Sequence, residues 1–228
     1  MTTYTWPESF GVNMFEMRVA PNTRVFVSPF SGSAQVADYT GERWRVTLGL
    51  TPGISQQRAA AMEAFFDRLR GPLNRIALWN LRRPVPLGTI RDGGGAAQWK
   101  TGGGANVQWK TGGAANSNWS GGGPSTYALM LQGSNILPVA RTPGTTIFAG
   151  DMLGAGGQLF RSMDNYTVDA TGQAAVEVLP RARADIAFRS AITCTKPTAN
   201  FMLKSDGVPI THRPGMYEST SLDLIEAI

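Results

Sequence analysis

The sequence predicts a mainly β fold with one packed α-helix and a small β unit inserted into it. Three observations carry that expectation. Residues 43–50 alternate apolar and polar side chains with period two, the mark of a half-buried strand. Residues 56–70 are the one stretch where the period shifts to that of a helix. The remainder is short apolar runs broken by turn residues, with 27 glycines and 14 prolines among 228 residues.

The first elements follow in order. Residues 10–17 and 24–27 are strand candidates separated by Ala20-Pro21-Asn22, and the Ser-Pro-Phe-Ser-Gly-Ser run at 28–33 is a loop before a strand at 34–39. In residues 43–50, Trp44, Val46, Leu48 and Leu50 share one face, and Arg43, Arg45, Thr47 and Gly49 share the other. Thr51-Pro52-Gly53 ends that strand, and Ser55 is the candidate N-cap of the helix. Ala59, Met62, Phe66 and Leu69 then recur on one helical face with Phe65 beside them, while Arg58, Glu63, Asp67 and Arg68 occupy mostly the other. This is an amphipathic helix of roughly four turns. Gly71 supplies a left-handed stop and Pro72 prevents continuation. Residues 74–79 form the next strand, so an antiparallel β-sheet carries one helix packed through Met62, Phe65, Phe66 and Leu69.

Residues 93–123 repeat with a period of ten: GGGAAQWKT, GGGANVQWKT and GGAANSNWSGGG. Trp99, Trp109 and Trp119 occupy the same repeat position, with Lys100 and Lys110 beside two of them and Ser120 beside the third. Glycine alone would make a floppy linker, but an indole in each copy adds a large apolar face and one N–H donor. The three indoles could stack as a small β layer, anchor the segment on a neighbouring subunit, or stack on sugars or bases. These five residues are the interaction candidates.

Strands at 127–132, 145–148, 159–162 and 174–179, with turns at Gly150-Asp151 and Ala170-Thr171-Gly172, describe a second β unit. Their spacing suggests a small barrel or sandwich. The strands at 188–195, 200–204 and 216–225 return the chain to the first sheet. The expected organisation is therefore residues 1–92 with 191–228 as one domain, 93–124 as the repeat insertion, and 125–190 as a small β domain.

Chemistry is sparse. A triad needs a base held by a carboxylate beside a nucleophile, and the single histidine, His212, stands in a turn-like Thr-His-Arg-Pro context. One cysteine, Cys194, cannot form an internal disulfide and reads as a buried structural thiol. One Cys and one His do not make a zinc site. Glu63 and Asp67 lie on the solvent side of the helix, and Asp151, Asp164 and Asp169 fall near turns, where carboxylates usually bond backbone N–H groups. Lys100 and Lys110 precede their glycines, so no phosphate-binding loop is spelled out. The expectation is a chain without catalytic, cofactor or metal residues. The net charge of +5 permits a basic surface, with arginines clustered at 68–91 and again at 181–189. Such a surface could face nucleic acid; the blander account of these arginines is salt bridging and subunit contact. No run reaches the roughly 18 apolar residues of a membrane helix, and the first ten residues have neither a basic start nor an apolar core of a signal peptide.

The strand at 44–50, the Ala59-Ala60-Ala61-Met62-Glu63-Ala64-Phe65 helix, Leu69-Arg70-Gly71 and the Pro86-Leu87-Gly88-Thr89 exit together resemble the distal tail proteins of long-tailed bacteriophages. A second set lies downstream: Phe148-Ala149-Gly150-Asp151-Met152-Leu153, Gly157-Gln158-Leu159-Phe160, Asp169-Ala170-Thr171-Gly172 and Leu179-Pro180-Arg181. The resemblance spans about two thirds of the chain; the repeat at 93–123 departs from it. It implies a tail-tube-like β-sandwich domain, built from both chain ends, with the small β domain inserted. It further implies a structural virion protein that is assembled in the host cytoplasm into a hexameric ring at the tail tip. That ring would join the tail tube protein to the tip (baseplate) hub protein, with the tape-measure protein and DNA passing through its lumen. Passage of DNA needs only weak, sequence-independent contact. The rival expectation, from a different class, is a carbohydrate- or host-surface-binding β module using the tryptophan row as its platform.

Overall fold

The computed structural model describes residues 1–39, 41–51, 56–93, 123–206, 208, 212–213, 216–217 and 221–227. The chain begins with β1 (Thr3–Thr5), β2 (Val12–Ala20), β3 (Thr23–Val27), β4 (Ala34–Asp38) and β5 (Arg43–Leu50), then α1 (Gln56–Leu69), a 3₁₀ turn (Gly71–Leu73) and β6 (Arg75–Trp79). After the repeat come β7 (Ser125–Thr126), β8 (Ile136–Ala140), β9 (Thr146–Ile147), β10 (Met152–Ala155), β11 (Gln158–Ser162), β12 (Tyr166–Thr167), β13 (Gln173–Leu179) and β14 (Ile192–Thr193). The last strands are β15 (Thr198–Leu203), β16 (His212–Arg213), β17 (Met216–Tyr217) and β18 (Ser221–Glu226).

The fold is mainly β with one helix, as the sequence predicts. It consists of a mixed six-stranded sheet and a nearly closed six-stranded antiparallel barrel. The sheet runs β1-β6-β15-β18-β5-β2. Its pairs are antiparallel except β1 with β6, which is parallel. Register keeps one face apolar across the sheet: Leu48 stands opposite Leu222 and Phe15, Val46 opposite Leu224 and Met17, and Phe201 opposite Ile76. Trp44, Val46, Leu48 and Leu50 are fully buried on that face. Exposed Glu16, Arg18, Arg45 and Asp223 alternate with the buried set and mark the other face. The helix covers part of the apolar face. Ala59, Met62, Phe66 and Leu69 are buried and Phe65 is half-buried against the same core.

The helix ends where its sequence says it must. Arg70 and Gly71 both take left-handed φ, +50° and +63°, and a side chain on Gly71 would meet the Asp206 carbonyl at 2.8 Å. Asn74 satisfies the orphan carbonyls: its Nδ2 donates to Arg68 O at 2.8 Å and its backbone N–H to Leu69 O at 3.1 Å. Ser55 lies outside the described residues.

The barrel order is β14-β10-β11-β13-β8-β7, and a bridge from Ser125 to Ala191 brings the two ends together. Its core is separate from that of the sheet and includes Leu137, Val139, Leu153, Phe160, Val176, Val178 and Cys194. Strand alternation along β13 is complete, with Ala174, Val176 and Val178 buried between exposed neighbours.

Several local expectations need correction. Residues 127–132 are not a strand; only Met130 bridges, to Ile186, and Leu129 and Leu131 are exposed. The strand that pairs with β13 is β8, which carries Pro138 opposite Ala175. Proline demotes a strand in a local reading, but in a short segment at a barrel seam its carbonyl still accepts from Tyr127 N–H at 3.2 Å. Strand β10 was hidden by Gly154. Residues 188–195 contribute only β14, and the described residues of 216–225 lie in β17 and β18.

Candidate assembly interface

Among the described residues both outer strands of the sheet are unpaired on one side, and they are unlike. At one edge is the three-residue β1; at the other is the nine-residue β2. Unpaired N–H and C=O groups on such edges are templates for another chain. Strand β2 pairs with β5 from Val12–Leu50 to Ala20–Arg43, with a bulge between Val12 and Met14. Gly49 makes the bulge possible: a Cβ there would stand 2.5 Å from Asn13 Oδ1 and 2.9 Å from Met14 Cβ.

From the end of β2 the chain turns into the β3–β4 hairpin, whose strands, among the described residues, pair only with each other. Directly opposed residues share a face, so the register puts Val25, Val27, Ala34 and Val36 together. That face is uncovered. Val25 and Val27 are each 62% exposed, Val36 is 67% exposed, and Phe30 at the tip is fully exposed. The tip closes on itself, with Ser28 N–H donating to Ser33 O at 2.9 Å and Gly32 N–H to Ser28 O at 3.0 Å. The base is tied down by Tyr39 N–H to Asn22 O at 2.9 Å and by Arg181 on Asp38 at 2.9 Å. An isolated two-stranded hairpin is marginal in water, and an apolar face of this kind marks an interaction surface.

The sheet and barrel are locked to each other at one end. Leu159 and Met152 of the barrel enter the core of the sheet. Trp44 Nε1 donates to Leu159 O at 2.8 Å, and Trp44 N–H donates to Glu226 Oε2 at 3.0 Å. Arg183 grips both oxygens of Glu226, with side chains 12% and 2% exposed respectively. Gln158 Oε1 accepts from Arg183 N–H at 2.6 Å. A second tie runs through buried Asp151, which accepts from Leu87 N–H at 2.6 Å, Gly88 N–H at 3.0 Å and Phe148 N–H at 2.9 Å. Asp92 similarly accepts from the N–H groups of Cys194 and Thr195.

Trp99, Lys100, Trp109, Lys110 and Trp119 lie outside the described residues. The helix-face residues lie together. Phe65 makes edge contacts with Tyr4, Trp6, Phe10 and Phe66, with ring centroids 5.5–6.4 Å apart. Cys194 is buried, and burial first, then the charge of Asp92, pushes its thiol pKa up to about 12. Of the turn carboxylates, Asp169 binds Thr171 Oγ1 at 2.6 Å and Gln173 N–H at 2.9 Å; the Thr171 hydrogen bond is the largest cause of its lowered pKa. Among the described residues no group of three or more His, Cys, Asp and Glu side chains is placed to hold a metal. The hairpin face escaped the sequence reading, although its signal was present in the alternation of Val25 and Val27 before the loop and Ala34 and Val36 after it.

No family model matches this sequence, and no curated protein matches it.

Proposed function

We propose that this chain is a structural virion subunit that closes into a homo-oligomeric ring at the distal end of a phage tail. In this reading the ring joins the tail tube protein to the tip hub, with the tape-measure protein and DNA passing through it. The observation that carries the assembly part is the β3–β4 hairpin, an arm with an uncovered apolar face rising from the free edge strand β2. Two unlike edges, β1 and β2, favour a head-to-tail contact over a two-fold one, and head-to-tail contacts generate rings when the rotation closes. The tail location rests on the resemblance of the strand, helix and Pro86-Leu87-Gly88-Thr89 exit to distal tail proteins. Six copies is the number that resemblance implies.

Light scattering with negative-stain imaging tests the reading. The wild-type chain is expected as a ring of about six copies, and Val25→Asp with Val36→Asp as a folded monomer. A wild-type protein that stays monomeric at high concentration, or a double variant that still assembles, would count against it. The rival glycan-binding reading rests on the tryptophan repeat alone. It gains if Trp99, Trp109 and Trp119 changed together to Ala abolish cell-surface binding and leave the ring intact.

A further inference from the structure

Two arginines approach each other at the junction between sheet and barrel without an ion-pair partner among the described residues. Strand β11 sends Phe160 into the barrel core and turns Leu159 and Arg161 toward the sheet. Arg161 stands in register between Met152 and Leu179, and its guanidinium lies over the Trp44 ring, 5.1 Å from the centroid. Arg83 reaches the same place from the loop after β6. A Cβ on Gly150 would stand 2.7 Å from Arg83 Nη1, and Gly150 N–H donates to the carbonyl of Ser162, the residue after Arg161, at 2.8 Å.

The neighbouring carboxylates are already engaged. Glu226 is held by Arg183 and the Trp44 N–H, and Asp151 accepts three backbone N–H groups. Among the described residues neither Arg83 nor Arg161 forms an ion pair. Burial, and then the charge of Arg83, hold the Arg161 pKa below its ordinary value. Arginine does not relieve such stress by losing its proton at any working pH. Arg161 is half-buried and Arg83 exposed, so an anion can reach both from solvent and offer the half-buried guanidinium charged hydrogen-bond acceptors. Stacking on an indole uses the face of the Arg161 guanidinium and leaves its N–H edges for a ligand.

We propose that Arg83 and Arg161 form a binding site for a phosphate-class oxyanion at the junction of the two β units. A phosphate group fits better than a single carboxylate. It brings up to two negative charges against two guanidiniums, and its oxygens suit the forked N–H geometry of arginine. Two sources share that chemistry, free inorganic phosphate and the phosphodiester of a nucleic acid. The site is independent of the ring reading, since both arginines belong to one chain.

The test is calorimetric titration with sodium phosphate against sodium chloride of equal ionic strength, and in parallel with a short DNA duplex lacking terminal phosphates. Wild-type protein is expected to bind at least one of the two saturably. Arg83→Gln, an exposed position, is expected to weaken that binding about tenfold or more, with the melting temperature in chloride unchanged. Arg161→Gln is expected to weaken it likewise, and Arg68→Gln, on the solvent side of the helix, to leave it as it was. Phosphate binding alone assigns the site to the free ion, and arginine-dependent duplex binding assigns it to the phosphodiester. Absence of saturable binding to both, or binding that Arg83→Gln leaves unchanged, overturns the proposal.

Discussion

At the scale of single residues, two side chains report on the two cores. Phe66 is 5% exposed under the helix, within the aromatic group that includes Phe10 and Phe65. Phe66→Asp buries a carboxylate among aromatic rings, and a loss of several kcal/mol is expected. Urea denaturation reads it, and an unchanged midpoint would refute the packing. Cys194 reports on the barrel. Its native pKa is raised to about 12, above the ordinary thiol value of 9.0, so the folded state holds the proton more tightly than the unfolded one. The stability this contributes is fully present below about pH 9 and is lost as pH rises toward 12. The thiolate is the reactive form. At pH 8 the native protein is therefore expected to resist a thiol-disulfide reagent that labels the same, single cysteine at once in denaturant. Rapid labelling of native protein would show that the barrel opens there.

At the scale of elements, legibility followed period and length. Strand β5 and helix α1 were readable because each buries one face for a whole run, so the pattern of apolar residues carries the geometry. Strand β1 has three residues, too few for a period. Strands β8 and β10 carry Pro138 and Gly154, which a local reading takes as breaks. The hairpin was readable as two strands, but its exposure was not. Val25-Phe26-Val27 resembles a buried strand, and nothing local says that no layer covers it. The edge beside it depends on the bulge opposite Gly49. A methyl group at Gly49 must displace Asn13 and Met14, so Gly49→Ala is expected to cost about 1–3 kcal/mol, the usual range for overpacking. The loss should be local, with faster amide exchange over β2 and little change in the barrel. Uniform exchange throughout the chain would mean that the bulge is not what holds the edge strand.

At the scale of the molecule, the two β units behave as one body only if the junction holds, and that junction was invisible in sequence. Trp44, Arg183 and Glu226 come from three distant parts of the chain, and no spacing rule connects them. The sequence reading weighted the tryptophan repeat instead, because repeats announce themselves locally. The junction has a sharp energetic signature. Glu226 is buried and Arg183 is partly buried, and they bond through both oxygens and both terminal nitrogens. Removing one partner strands the other charge in a low-dielectric setting, which typically costs about 3–5 kcal/mol, whereas replacing both with apolar groups of similar size is often neutral. Glu226→Ala is thus expected to lower stability by about that amount. The wild type is expected to unfold in a single urea transition, and Glu226→Ala in separate steps for sheet and barrel. Arg183→Met combined with Glu226→Leu should restore most of the stability and the single transition, because Leu159 and Met152 still bind the units through the shared core. Amide exchange over β5 follows the sheet, and Cys194 labelling follows the barrel core. If Glu226→Ala unfolds in one step at the wild-type midpoint, the ion pair does not couple the units, and the remaining contacts, the packing of Leu159 and Met152, the Trp44 bond to the Leu159 carbonyl and the Asp151 tie, join them.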